Sequence, residues 1–126
     1  MKKKVLIVVS DYYKDISEAL LKSTKKYLNK KTNFKIIKVP GVFEIPVIIS
    51  KNIKKFDGFV AIGCIIKGKT AHFDLISKSV IDAIMYISID SKKPVGNCIL
   101  TCFNLKQALQ RKNKGKEAAL ALNSIL

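Results

Sequence analysis

The stretch "GCIIKGKT", Gly63 to Thr70, has the spacing of a nucleotide-binding loop: a glycine, four residues, then Gly-Lys-Thr. Such a loop curls its backbone N–H groups around phosphates, so its variable positions are usually small or glycine. Here they are Cys64, Ile65, Ile66 and Lys67. Two adjacent β-branched isoleucines resist positive φ and favour extended backbone. "YISID", which ends in Asp90, does not supply the acid-tipped second strand of such a site, since it continues an amphipathic helical pattern. A smaller chemistry survives. Gly68 turns the chain, and the N–H groups of Lys69 and Thr70 come just before a helical pattern, where free donors and the helix dipole favour an anion. "KGKT" therefore reads as a single-phosphate site or as a glycine turn capped by Thr70.

His72, the only histidine, follows two residues later. An imidazole beside an anion site suits proton transfer near neutral pH, with Asp74 or Glu44 as a partner for its ring. Glu44 is one of three glutamates and interrupts the apolar "PGVFEIP". It reads as a helix-start carboxylate or as a hydrogen-bond acceptor for a polyol or amine. Tyr12 and Phe43, at neighbouring loop positions, read as a sandwich for a flat ring or equally as rim or core aromatics.

Short β-branched runs alternate with amphipathic stretches, the pattern of βα units around a parallel sheet. "KVLIVV", "FKIIKV", "FDGFVAIGCII" and "PVGNCILT" read as strands. "DISEALLKSTKKYLN" reads as a helix with Ile16, Leu20, Leu21 and Thr24 inward and Asp15–Glu18 as a capping box. Pro46 fits the first turn of a second helix whose apolar face is Val47, Ile48 and Ile53. In "AHFDLISKSVIDAIMYISID", Phe73, Ile76, Val80, Ile84 and Ile87 fall in register. The C-terminal stretch is one bent helix or two. The expected fold is an α/β, flavodoxin-like three-layer sandwich with a four-stranded parallel sheet. Ligands bind such sheets at the carboxyl ends of the strands, and "SDYY", "PGVFE", "IIKGKTAH" and "TCFN" lie there.

A chain of 126 residues supports one compact domain, residues 1–126. Its N-terminal apolar run is too short for a signal peptide, and no stretch reaches membrane-spanning length, so a soluble, cytoplasmic protein is expected. Cys64, Cys98 and Cys102 sit among apolar neighbours and read as buried free thiols. The net charge of +15 invites a polyanion. Its lysines are scattered, however, and Arg111 is the only arginine, so no specific nucleic acid is expected.

Taken together, these stretches resemble the lumazine synthases of riboflavin biosynthesis along almost the whole chain. "VPGVFEIP" is similar to that family's PGAFEIP segment and "AIGCIIKGKTAHFD" to its LGxVIxGxTxHF/Y stretch. "PVGNCILT" resembles its fourth strand and "QALQR...NKGKEAALA" its C-terminal helices. The resemblance implies condensation of 5-amino-6-ribitylamino-uracil with 3,4-dihydroxy-2-butanone 4-phosphate, giving 6,7-dimethyl-8-ribityllumazine without metal or cofactor. It implies that Tyr12 stacks on the pyrimidine, that Val42, Phe43 and Glu44 hold the ribityl chain, and that Cys64, Ile65 and Ile66 line the ring. Lys69 and Thr70 would bind phosphate, and His72 would transfer protons. A neighbouring subunit would contribute Asn97 to the pyrimidine, Arg111 to phosphate and Lys114 to the wall. The implied assembly is a homopentamer or a shell of pentamers, with riboflavin synthase as a further partner. A non-catalytic shell that binds lumazine or flavin is the alternative. Lys69 stands where the family usually has a small or acidic residue, and Asn97 where it often has Phe. The segment from Arg111 to Asn113 is shorter than in common forms.

Overall fold

The computed structural model describes residues 2–126. Four strands, β1 (Lys4–Ser10), β2 (Asn33–Val39), β3 (Gly58–Ile66) and β4 (Val95–Cys102), form one parallel sheet in the order β2-β1-β3-β4. Helices α1 (Lys14–Tyr27), α2 (Ile45–Lys51), α3 (His72–Ser91), α4 (Leu105–Gln110) and α5 (Gly115–Ile125) complete the chain, with a 3-10 turn at Val42–Glu44. The expected flavodoxin-like layering is present.

Strand pleating distributes the apolar runs to two cores. Val5, Ile7, Val9, Val60, Ile62, Cys64, Cys98, Leu100 and Cys102 pack with Ile16 and Leu20 of α1 and with Ala118, Ala119 and Leu122 of α5. The intervening Leu6, Val8, Phe59, Ala61, Ile65 and Ile99 pack with Ile45 and Ile49 of α2 and Val80 and Ile84 of α3. Burial on both faces explains why β1 and β3 read as nearly continuous hydrophobic runs, whereas edge strand β2 is largely exposed. All three cysteines are buried and free, as expected.

Gly63 and Gly115 are set by close packing. A Cβ on Gly63 would lie 2.5 Å from Val42 Cγ1, so its absence lets the 3-10 turn settle against β3. A Cβ on Gly115 would run into Ser23 Oγ and Leu20 O, so α1 and α5 touch there at backbone distance.

Local details differ from the sequence expectations. The N-cap of α1 is Tyr13, without a side-chain cap bond, so Asp15 and Glu18 make no capping box. The entry is held instead by buried Ser17, whose hydroxyl donates to Ser10 O and whose N–H donates to Tyr13 O. Helix α2 begins at Ile45, with Pro46 in its first turn, so its buried ridge is Ile45 and Ile49. Ile48 and Ile53 are half-buried against this core, whereas Val47 points outward. Of the two readings of the C-terminal stretch, the structure has the second, two separate helices. No helix among the described residues is long and apolar enough to cross a membrane.

Candidate functional site

From β1 the chain crosses to β2 on one side of the sheet, then returns to β3 on the other. Loops leaving β1 and β3 diverge at this switch point and leave a crevice beyond the strand ends. A cleft of about 560 Å³ lies there. It is lined by Ser10, Tyr12 and Tyr13 after β1; Gly41, Val42 and Phe43 after β2; Cys64, Ile65 and Ile66 at the end of β3; and His72 and Ile76 at the start of α3.

The expected residues thus divide into groups. Tyr12, Val42, Phe43, Cys64, Ile65, Ile66 and His72 share the cleft. Glu44, at the N-cap of α2, lines the adjoining hollow with Phe43 and Val47. Lys69 and Thr70 lie on the exposed loop between β3 and α3, outside the cleft lining. Asn97 is elsewhere, in a groove between the β4 edge and α3, where its side chain accepts the Ile99 N–H at 3.0 Å. Arg111 and Lys114 border a hollow at the α4–α5 junction.

Walls and floor differ in character. Tyr12 and Phe43 are 75% and 63% exposed, two apolar rings standing at the rim. The Tyr13 ring meets Tyr12 edge-on, with centroids 5.0 Å apart and planes at 77°. Sequence reading missed Tyr13, although its place beside Tyr12 was the available signal. Burial, then the nearby Tyr12 and Cys64, raises the Tyr13 phenol above its ordinary value. On the floor, burial and the neighbouring Cys102 push the Cys64 thiol up to about 12. Both groups remain neutral near pH 7, giving an uncharged floor suited to a flat heterocycle.

His72 begins α3 and is exposed; its N–H donates to Thr70 Oγ1 at 3.3 Å. The N-cap of α3 is Ala71, so Thr70 serves the first turn from one residue farther out than expected. Neither Asp74 nor Glu44 hydrogen-bonds the imidazole among the described residues. Gly63 to Ile66 belong to β3 and pair with β4, so the first half of "GCIIKGKT" is strand, not a phosphate-wrapping loop. Among the described residues, no three His, Cys, Asp or Glu side chains gather as a metal site.

Residues 2–126 match the family model described as 6,7-dimethyl-8-ribityllumazine synthase. The chain belongs to the 6,7-dimethyl-8-ribityllumazine synthase family. It is 41% identical to the synthase of that name from Bartonella tribocorum, over 96% of this chain and 87% of the relative. Identity to the synthase from Agrobacterium fabrum is 38%, over 93% and 88% of the two chains. The synthase from Buchnera aphidicola shares 39%, over 94% and 82%. Lumazine synthase activity in riboflavin biosynthesis is the function that this family membership gives the chain.

Proposed function

We propose that the chain makes 6,7-dimethyl-8-ribityllumazine at this cleft, and that a second copy completes each site. The carrying observation is the division of the candidate residues. The only histidine shares a cleft with Tyr12 and Phe43, while the only arginine lies on another surface with Lys114. A site between copies reunites them, with Asn97, Arg111 and Lys114 coming from the neighbour in a homopentamer or larger shell. The working compartment is the cytoplasm.

In this reading Tyr12 stacks on the pyrimidine of 5-amino-6-ribitylamino-uracil, over the floor made by Cys64, Ile65 and Ile66. Val42, Phe43 and Glu44 receive the ribityl chain. Lys69, Thr70 and the partner copy's arginine hold the phosphate of 3,4-dihydroxy-2-butanone 4-phosphate; a guanidinium grips two phosphate oxygens at once. An amine of the pyrimidine adds to the ketone and water leaves, forming a carbon–nitrogen double bond. The carbon–oxygen bond to phosphate then breaks, and the second nitrogen closes the ring with loss of another water. One phosphate and two waters depart for each product, with no net redox change. His72 moves protons during these steps. Holding both reactants in one cleft supplies much of the remaining acceleration.

The test is an assay with both substrates, following the lumazine product by absorbance. Product dependent on both is expected. Ligand binding without product in a fully assembled protein would overturn the catalytic reading and favour the shell alternative.

A further inference from the structure

The loop from Lys67 to Ala71 is exposed throughout, and a Cβ on its Gly68 would meet nothing within 4 Å. A loop of this kind needs outside support to hold backbone donors in one arrangement. At its first residue, Lys67 N–H donates to Cys102 O at 2.8 Å. Beyond its last residue, α3 begins, with Phe73 in the first turn.

One side chain reaches both ends. Phe103, directly after β4, has Lys67 Nζ 5.4 Å from its ring centroid. Its ring also lies 6.4 Å from that of Phe73, with planes inclined at 35°. Phe103 is 65% exposed, so core burial does not explain its placement. Its backbone is anchored: Phe103 N–H donates to Gln107 Oε1 at 2.8 Å, and Gln107 N–H donates to Asn104 Oδ1 at 2.9 Å. This reciprocal arrangement resembles a capping box and fixes the start of α4 as a base for the ring.

We propose that Phe103 is a positioning residue for the phosphate subsite, bracing the Lys67–Ala71 loop between its cation–π contact with Lys67 and its ring contact with Phe73. The inference rests on the reading of Lys69 and Thr70 as phosphate ligands. Phe103 touches no substrate; it narrows the positions open to the N–H groups that do. The phosphate-bearing substrate therefore feels its loss, and the pyrimidine does not.

The experiment compares Phe103→Leu and Phe103→Tyr with the unchanged protein, alongside Thr70→Ala and Arg111→Lys as probes of the subsite itself. Phe103→Leu should raise KM for the phosphate-bearing substrate about 5-fold, the scale of one lost aromatic or cation–π contact. Inorganic phosphate should inhibit it correspondingly less, while KM for the pyrimidine and the thermal midpoint stay unchanged. Phe103→Tyr keeps the ring and should restore the original values. If Thr70→Ala and Arg111→Lys weaken phosphate binding but Phe103→Leu does not, the bracing role is overturned and the subsite stands. If none of these variants changes phosphate binding, the subsite reading fails and takes the bracing role with it. Equal loss for both substrates with a lowered thermal midpoint would also overturn the proposal, marking Phe103 as merely structural.

Discussion

His72 lines the cleft and no carboxylate hydrogen-bonds its ring among the described residues, so in the proposed reaction it acts by position rather than through a relay. Removing it as His72→Ala should lower kcat by about 100-fold, the lower range for a positioned acid–base group, with assembly retained. Steady-state kinetics together with sedimentation check this; an unchanged kcat removes the assignment. Arg111→Lys retains charge but loses the planar fork, and should raise KM for the phosphate-bearing substrate about 10-fold. Titrating that substrate at saturating pyrimidine reads the effect. Of the candidate site, the shared location of Tyr12, Phe43 and His72 was legible because each follows the carboxyl end of a strand, where a parallel sheet opens its crevice. Phe103 was not legible: its two contacts join the end of β4 to the start of α3, a proximity visible only after folding. Nor did the sequence reveal the free His72 ring, because adjacency to Asp74 along the chain says nothing of side-chain direction.

Helix and strand boundaries are enforced by a few steric points. Gly63→Ala would place a methyl against Val42 and displace the turn carrying Phe43 and Glu44. It should cost about 1–3 kcal/mol, as overpacking does, and weaken pyrimidine binding as well; urea unfolding and ligand titration measure the two effects. Lys92 closes α3 with a left-handed φ of 60°. Glycine adopts that conformation without the side-chain penalty, so Lys92→Gly should stabilise by up to about 1 kcal/mol, read as a raised thermal midpoint. Strands β1 and β3 were legible because double-sided burial demands nearly unbroken apolar runs, and edge strand β2 because its short apolar stretch is bounded by turn residues. The α1 entry was not: Ser17 reaches back to the end of β1, while the local signals Asp15 and Glu18 face solvent. Val47 was misassigned for a related reason. Starting α2 at Ile45 rotates the buried ridge onto Ile45 and Ile49 and turns Val47 away.

At the scale of the whole molecule, buried thiols tie stability to pH. Burial raises Cys64 and Cys98 from 9.0 to about 12, overcoming the opposing Thr24 hydrogen bond and Lys114 charge at Cys98. Above pH 9 the unfolded chain has released these protons while the folded chain retains them, so stability falls with rising pH. Their contribution is full below about 9 and is lost as pH climbs towards about 12; the urea midpoint should drop across that window, and less steeply in Cys98→Ala. The proposed sharing of each site between copies makes a separate prediction. Refolding His72→Ala together with Arg111→Ala should give activity above that of either alone, because mixed assemblies contain some intact pairings. No recovery in verified mixed assemblies would count against a site built from two copies. The layered fold was legible as a whole because strand and helix patterns alternate, whereas a surface for a second copy would leave no periodic trace. The β1–β3 crevice also carries a kinetic consequence. Asp57 accepts the Lys4 N–H across a sequence separation of 53 residues, immediately beside the register in which Val5 pairs with Gly58. Loop closure of that length precedes any crevice, so a nascent chain holding only β1 and β2 has one bank of the cleft and no second. Non-local pairing of this kind places refolding in the slower range for small domains, and ligand binding should return only with the final sheet-forming phase.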